Sequence, residues 1–237
     1  LPEGITAMDV ISRRSNLSSA FRLPLDQVWP SVGPEHEGQL DLWVGRVPAS
    51  KMPRAKHPLA SRSARVDLFE PFPFGHDVRQ KPITITMFER NIAIGGQPGA
   101  GKTSGGRALA HGVILDPTAE LWIAAFKAAE DFYDLKPFCA RYECGIDQAT
   151  FLRAATMVED GLREVQRRQD LIGKLRREGK ITEGRTSRDL ADAGIGLHPL
   201  VIIFDEVHEL FTALKEAAEN MARLIKQGRS VFGTVVL

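Results

Sequence analysis

Eight residues, Gly96-Gln97-Pro98-Gly99-Ala100-Gly101-Lys102-Thr103, carry the densest chemical information in the chain. They follow the spacing G-x-x-x-x-G-K-[ST], and each fixed type answers a physical need. Glycine adopts dihedrals that turn successive N–H groups inward into an anion-binding nest, which residues with a Cβ resist. An ammonium at position 102 can reach the outer phosphates of a nucleoside triphosphate, and a hydroxyl at 103 can ligate Mg²⁺. The expected ATP contacts are therefore Gly96, Gln97, Pro98, Gly99, Ala100, Gly101, Lys102, Thr103 and the adjoining Ser104.

A second pair completes such a site. Leu200-Val201-Ile202-Ile203-Phe204 is a continuous apolar run that ends in Asp205-Glu206. Such a run fits a parallel strand covered on both faces, and ligands bind beyond the C-terminal ends of such strands. Asp205 would hold Mg²⁺ with Thr103, and Glu206 would orient or deprotonate the attacking water. Acids at a helix N-terminus are the plainer alternative. Paired with residues 96–103, the two acids point to a P-loop ATP hydrolase rather than a simple nucleotide binder.

These groups act together only if strands and helices deliver them. Ile83-Thr84-Ile85-Thr86-Met87 alternates, and residues 91–94 read as a short buried strand running into Gly95-Gly96. Residues 103–111 suit a helix, with Gly112 as its expected stop and Gly105 and Gly106 costing roughly 1 kcal/mol each against alanine. Asp116-Pro117 predicts a turn, and residues 120–126 another strand. A long helix is expected over Gln148–Arg177, with Phe151, Ala155, Val158, Leu162, Val165, Ile172 and Leu175 on its apolar stripe and Gln169 interrupting it. Its basic second half (Arg163, Arg167, Arg168, Lys174, Arg176, Arg177) reads as a solvated face, supported by the i,i+4 pair Glu164 and Arg168, with a DNA or subunit contact as the alternative. Residues 178–199 read as a polar surface loop.

The expected fold class is α/β, a RecA-like P-loop core with a mostly parallel sheet over residues 72–237, after a small irregular N-terminal segment or linker over 1–71. That segment holds a possible helix over 12–21 and a strand over 39–44. It then becomes a basic, proline-broken stretch with Lys51, Arg54, Lys56 and Arg62, which reads as a solvated linker, with contact to phosphates as the alternative.

The chain has 237 residues, enough for one α/β core and a smaller appendage but not for two nucleotide-binding domains. A formal net charge of +1 advertises no nucleic-acid or membrane surface. No apolar run approaches the ~20 residues of a membrane span, and no signal-peptide pattern opens the chain, so a cytoplasmic place is expected. Cys139 and Cys144 lack metal-site spacing and are expected to be reduced thiols.

Together these motifs resemble the FtsK/SpoIIIE family of DNA translocases, and within it the plasmid conjugal-transfer (Tra) branch. The resemblance rests on the P-loop, Asp205-Glu206, Pro73-Phe74-Gly75-His76-Asp77, Leu115-Asp116-Pro117 with Glu120-Leu121, Glu164 to Arg168, and the Gly228-Arg229 that ends Ala222-Arg223-Leu224-Ile225-Lys226-Gln227. Gly38-Gln39-Leu40-Asp41-Leu42-Trp43-Val44-Gly45 is similar to the segment upstream of that branch's motor. The resemblance implies hexameric rings that hydrolyse ATP with Mg²⁺ and pump double-stranded DNA, in conjugation or chromosome transport. It also implies that Arg229 is an arginine finger reaching a neighbour's γ-phosphate.

The chain departs from the branch at Ala125, where an acid is expected two positions before Lys127, and at Ala128-Ala129, where glycines are common. It runs from Ser230 into an apparent strand, Val235-Val236-Leu237, and changes abruptly at Ala213-Leu214 and Val231-Phe232, so a fragment or joined pieces is expected. A membrane anchor and a winged helix would lie in segments outside this sequence. Two other classes share the motifs: an FtsK-like coupler of type VII protein secretion, and a DExH-type helicase, for which Asp205-Glu206-Val207-His208 also serves. The helicase needs a second RecA-like domain. His208 reads most simply as a polar cap at the strand end.

Overall fold

A computed structural model describes residues 1–53, 56–128 and 130–236; Arg54, Ala55, Ala129 and Leu237 lie outside the described residues. The chain forms two compact units, one of residues 1–56 with 76–82 and one of 57–75 with 83–237.

In the first unit, helix α1 (Ala7–Ser12) starts at Thr6, which exchanges hydrogen bonds with Asp9 in a reciprocal capping box. Helix α2 (Arg14–Phe21) follows a break at Arg13 and accounts for the helix expected over 12–21, while α1 lies before it. Strand β1 (Val28–Val32) pairs antiparallel with β2 (Leu40–Val44), Val28 opposite Val44. The unit is more regular than its prolines suggest. Pro24 and Pro48 stand just before short 3₁₀ turns, and Pro30 is tolerated in a strand of a two-stranded sheet.

Strands β3 (Phe72–His76) and β4 (Pro82–Ile85) form a second two-stranded sheet. The main sheet then builds through α3 (Lys102–Ile114), β5 (Glu120–Ala125), β6 (Arg141–Cys144), α4 (Gln148–Arg177), α5 (Arg188–Asp192), β7 (Leu200–Asp205), α6 (Val207–Ala213), α7 (Lys215–Gln227) and β8 (Gly233–Val236). Its order is β6-β5-β7-β8, and every pair is parallel. Alternation along β7 explains the two cores. Leu200, Ile202 and Phe204 join the cluster formed with α4, α6 and α7, while Val201 and Ile203 join Leu109, Ala110 and Val113 of α3.

The strand expected over 91–94 is reduced to one parallel bridge, Ile92 to Val236. The Asn91 side chain takes over part of the ladder: its Oδ1 accepts from the Val235 N–H and its Nδ2 donates to the Ile225 carbonyl, both at 2.9 Å. Gly112 does not stop α3, which continues to Ile114. A Cβ on Gly112 would stand 2.4 Å from the Phe72 ring, so glycine there permits close packing. Residues 178–199, expected as a loop, contain α5, whose Arg188 pairs with Asp67, Asp116 and Asp192. The Asp116 carboxylate in turn accepts from Thr118, closing the predicted turn.

Helix α4 has the predicted bounds, with Asp147 capping the Thr150 N–H. Its basic second half is not wholly solvated, however. Arg168 is fully buried, with its guanidinium on Glu164 at 2.7 Å and on the carbonyls of His198 (2.5 Å) and Val231 (3.2 Å). Helical periodicity carries position 168 onto the same face as Val165 and Ile172.

Burial alone would raise the Glu164 pKa, but hydrogen bonds from Arg167 and Arg168 hold it down at about 2, against an ordinary 4.5. A depressed carboxyl adds stability in full above pH 4.5 and loses it as pH falls toward 2. Denaturant midpoints measured between pH 5 and pH 2.5 are expected to fall with acid, and to fall less in Glu164→Gln. Equal slopes in the two proteins would refute the assignment.

Candidate nucleotide site

The parallel sheet brings the C-terminal ends of β5 and β7 together, with Ala125 in register with Asp205. Residues 96–101 curl beside them into the N-terminus of α3. Gly99 and Gly101 have φ of +77° and +91°. An added Cβ at either would meet nothing within 4 Å, so the dihedral rather than space demands glycine. Gly101 is the N-cap of α3, and the Gly105 N–H closes the first helical bond to its carbonyl at 2.9 Å. The N–H groups of Lys102, Thr103 and Ser104 are those that a helix start leaves without intrahelical partners, and such groups bind phosphate.

Facing this cradle, Lys102 Nζ lies 4.0 Å from Glu206 Oε1, and the Thr103 hydroxyl donates to Asp205 Oδ2 at 3.4 Å. Lys102, Asp205 and Glu206 border a cavity of about 150 Å³ with Ile94, Phe132 and His208. Thus Lys102, Thr103, Asp205 and Glu206 meet in one place. Glu206 adopts a left-handed backbone, φ 55° and ψ 41°, at the N-cap of α6. That conformation costs a non-glycine residue on the order of 1 kcal/mol or more, and it turns the carboxylate out of the strand line toward Lys102. His208 lies within α6 rather than capping the strand, with its Nδ1 3.5 Å from Glu206 Oε2.

Sequence reasoning used Lys127 only as a landmark, yet it is central. Its ammonium lies 2.6 Å from Asp205 Oδ2, 2.8 Å from the Thr103 hydroxyl and 2.7 Å from Asp131 Oδ2. Burial pushes the Lys127 pKa down, but the bonds to Asp131 and Asp205 outweigh it and raise the value. The signal was present: Lys127 follows the end of β5 as Asp205 ends β7, and adjacent parallel strands put such positions side by side. Thr103 and Asp205 already hold a cation between two hard oxygen donors, the donor chemistry that Mg²⁺ takes. Those two residues would hold the metal. Ala125, where an acid was expected, is fully buried in the core beneath α3, so a carboxylate there would have to be desolvated. Ala128 is described, and its neighbour at 129 is not.

Along the outer face of α3, Ser104, Arg107, Ala108 and His111 border a second cavity of about 430 Å³ with His57 and Leu59. His57 is fixed by a contact between its Nε2 and the Phe74 carbonyl at 3.1 Å. Arg229 is elsewhere. Helix α7 ends at Gln227, and Arg229 stands exposed in the following 3₁₀ turn. It borders a surface cleft with Glu89, Arg90 and Lys226.

No family model matches the chain, and no curated protein does. Solved structures do. The cytoplasmic domain of the type VII secretion ATPase EccC of Thermomonospora curvata superposes with a TM-score of 0.54 at 21% identity, over 77% of this chain and 23% of that one. The pCW3 conjugation coupling protein TcpA, in a monomer form with ATPγS, gives 0.57 at 14% identity, over 98% of this chain and 64% of its own. The cytoplasmic domain of EssC gives 0.54 at 14% identity, over 81% and 36%. The chain therefore spans less than two thirds of the length of each. At these identities the likeness shows a shared fold, an α/β P-loop architecture around a parallel sheet. Among the described residues, no helix is long and apolar enough to cross a membrane.

Proposed function

We propose that residues 72–237 are the motor domain of an ATP-driven double-stranded DNA translocase, working in the cytoplasm as a hexameric ring in conjugal transfer or chromosome transport. One observation carries the ATPase part: Lys102 and Thr103 face Asp205 and Glu206 at one end of a parallel sheet. In this reading the α3 N-terminus and Lys102 bind the β- and γ-phosphates, and Glu206 takes the proton of the attacking water. Mg²⁺, held by Thr103 and Asp205, supplies charge neutralisation on the phosphates. Arg229, exposed and outside its own chain's nucleotide cavity, serves a neighbouring subunit.

The cavity beside Ser104 would take the nucleoside, because Ser104 belongs to both the phosphate cradle and the cavity wall. Ala108→Trp fills that space and is expected to weaken ATP binding about tenfold or more, or 1.4 kcal/mol per decade. Its affinity for inorganic triphosphate should stay close to that of the wild type in calorimetry. Equal losses for both ligands would remove the nucleoside from this cavity.

DNA as cargo is supported by the Tra-branch motifs and by likeness to a conjugation coupling protein over 98% of the chain. A second reading, a coupler of protein secretion, is favoured by the likeness to EccC and EssC. ATP turnover of the intact protein decides between them. Stimulation by duplex DNA supports the translocase, whereas stimulation by a secretion-signal peptide and indifference to DNA supports the coupler.

A further inference from the structure

The two oxygens best placed to hold a divalent metal are already engaged by this chain's own cation. Lys127 donates to the Thr103 hydroxyl at 2.8 Å and pairs with Asp205 Oδ2 at 2.6 Å. Thr103 donates its proton to that same carboxylate oxygen. The Thr103 lone pair and the Asp205 oxygen are thus both in use by an ammonium. A monocation and a dication cannot share one carboxylate oxygen without strong repulsion at such short range.

The ammonium also has somewhere to go. Asp131, four residues along, also holds it at 2.7 Å and is itself half exposed. The Asp131 segment is anchored independently: Arg107 of α3 donates to the Asp131 carbonyl and makes two 2.7 Å bonds to the Asp134 carboxylate. Asp131 is thus a second anionic partner within reach, to which the ammonium can stay paired when it leaves Asp205 and Thr103.

We propose that Lys127 is a built-in placeholder for the divalent cation, closing the Thr103–Asp205 seat until a triphosphate arrives, so that metal enters only together with nucleotide. The idea rests on the ATPase reading above and gives Lys127 a positioning role. A bare dication meets an occupied seat. A metal already carried by phosphate oxygens brings negative charge with it, and that charge offsets the repulsion and offers the displaced ammonium a further partner. The arrangement would keep Asp205 and Thr103 pre-aligned and guard the site against adventitious metal.

Manganese, titrated by electron paramagnetic resonance against the full chain without nucleotide, tests this directly. Lys127→Met is expected to bind Mn²⁺ at least tenfold more tightly than wild type. Lys127→Arg should keep the seat closed and resemble wild type, and Lys127→Met with Asp205→Asn should lose the gained site. A purely structural lysine would leave Mn²⁺ affinity unmoved in Lys127→Met, and that result overturns the proposal. Should Lys127→Met unfold, Lys127→Gln, which is one atom shorter but polar and uncharged, gives the same comparison. Binding of Mn²⁺ with ATPγS to the wild type is measured in parallel. Its absence would sink the ATPase reading, whereas its presence with unchanged Mn²⁺ affinity in the variants sinks only the placeholder.

Discussion

Glu206→Gln is expected to cut ATP turnover by about 10² to 10⁴-fold while leaving ATP affinity nearly intact, the loss typical of removing a positioned general base. The amide is isosteric and can keep the left-handed backbone and the approach to Lys102, but it cannot accept the proton of water. Substrate binding and chemistry are therefore separated: calorimetry should report near-wild-type affinity and single-turnover hydrolysis should report the loss. Lys102→Ala should fail at both, because that ammonium is the side-chain cation aimed into the cradle. Full-rate hydrolysis by Glu206→Gln would remove Glu206 as the base and shift attention to His208 beside it.

Glu206 and Lys127 illustrate how far a sequence exposes such a site. The P-loop and the acid pair were legible because each is contiguous: glycines with positive φ lead into a helix, and an apolar run ends in two carboxylates. The bounds of α4 and the course of β5 and β7 were legible for a similar reason, since their apolar periods are long and interrupted by clear caps. Residues 91–94 were not, because four residues cannot encode whether a side chain such as Asn91 will replace a ladder bond. Gly112 was misread because a glycine that allows close packing and a glycine that ends a helix look alike in one dimension. Lys127 was passed over because its importance arises from strand order, with β5 beside β7, and not from its neighbours in sequence. Arg168 was misread by composition: six basic residues in one half-helix suggest a wet face, and only the helical phase distinguishes the one that points inward.

That inward arginine makes the asymmetry between partners testable. Glu164→Ala leaves the Arg168 guanidinium fully buried, with two carbonyls but without the carboxylate it is hydrogen-bonded to. Breaking a buried pair in this way costs about 3–5 kcal/mol. Arg168→Met is expected to cost less, although it removes the larger group. Glu164 stays partly exposed and keeps Arg167, at 2.6 Å, as a partner, while methionine fills apolar space beside Val165 and Ile172. Among the described residues, Arg168 Nη2 has no hydrogen-bond partner, a group whose burial already costs about 1–3 kcal/mol and which methionine would eliminate. Denaturant unfolding of the two single variants and the double variant should therefore rank Glu164→Ala lowest, with the double variant above it. The carbonyls that Arg168 binds, those of His198 and Val231, lie just before β7 and β8, so loosening this contact loosens the strand that carries Asp205. Stability ranked the other way, with Arg168→Met the more damaging, would mean that the guanidinium contributes more through its carbonyl bonds than its charge costs on burial.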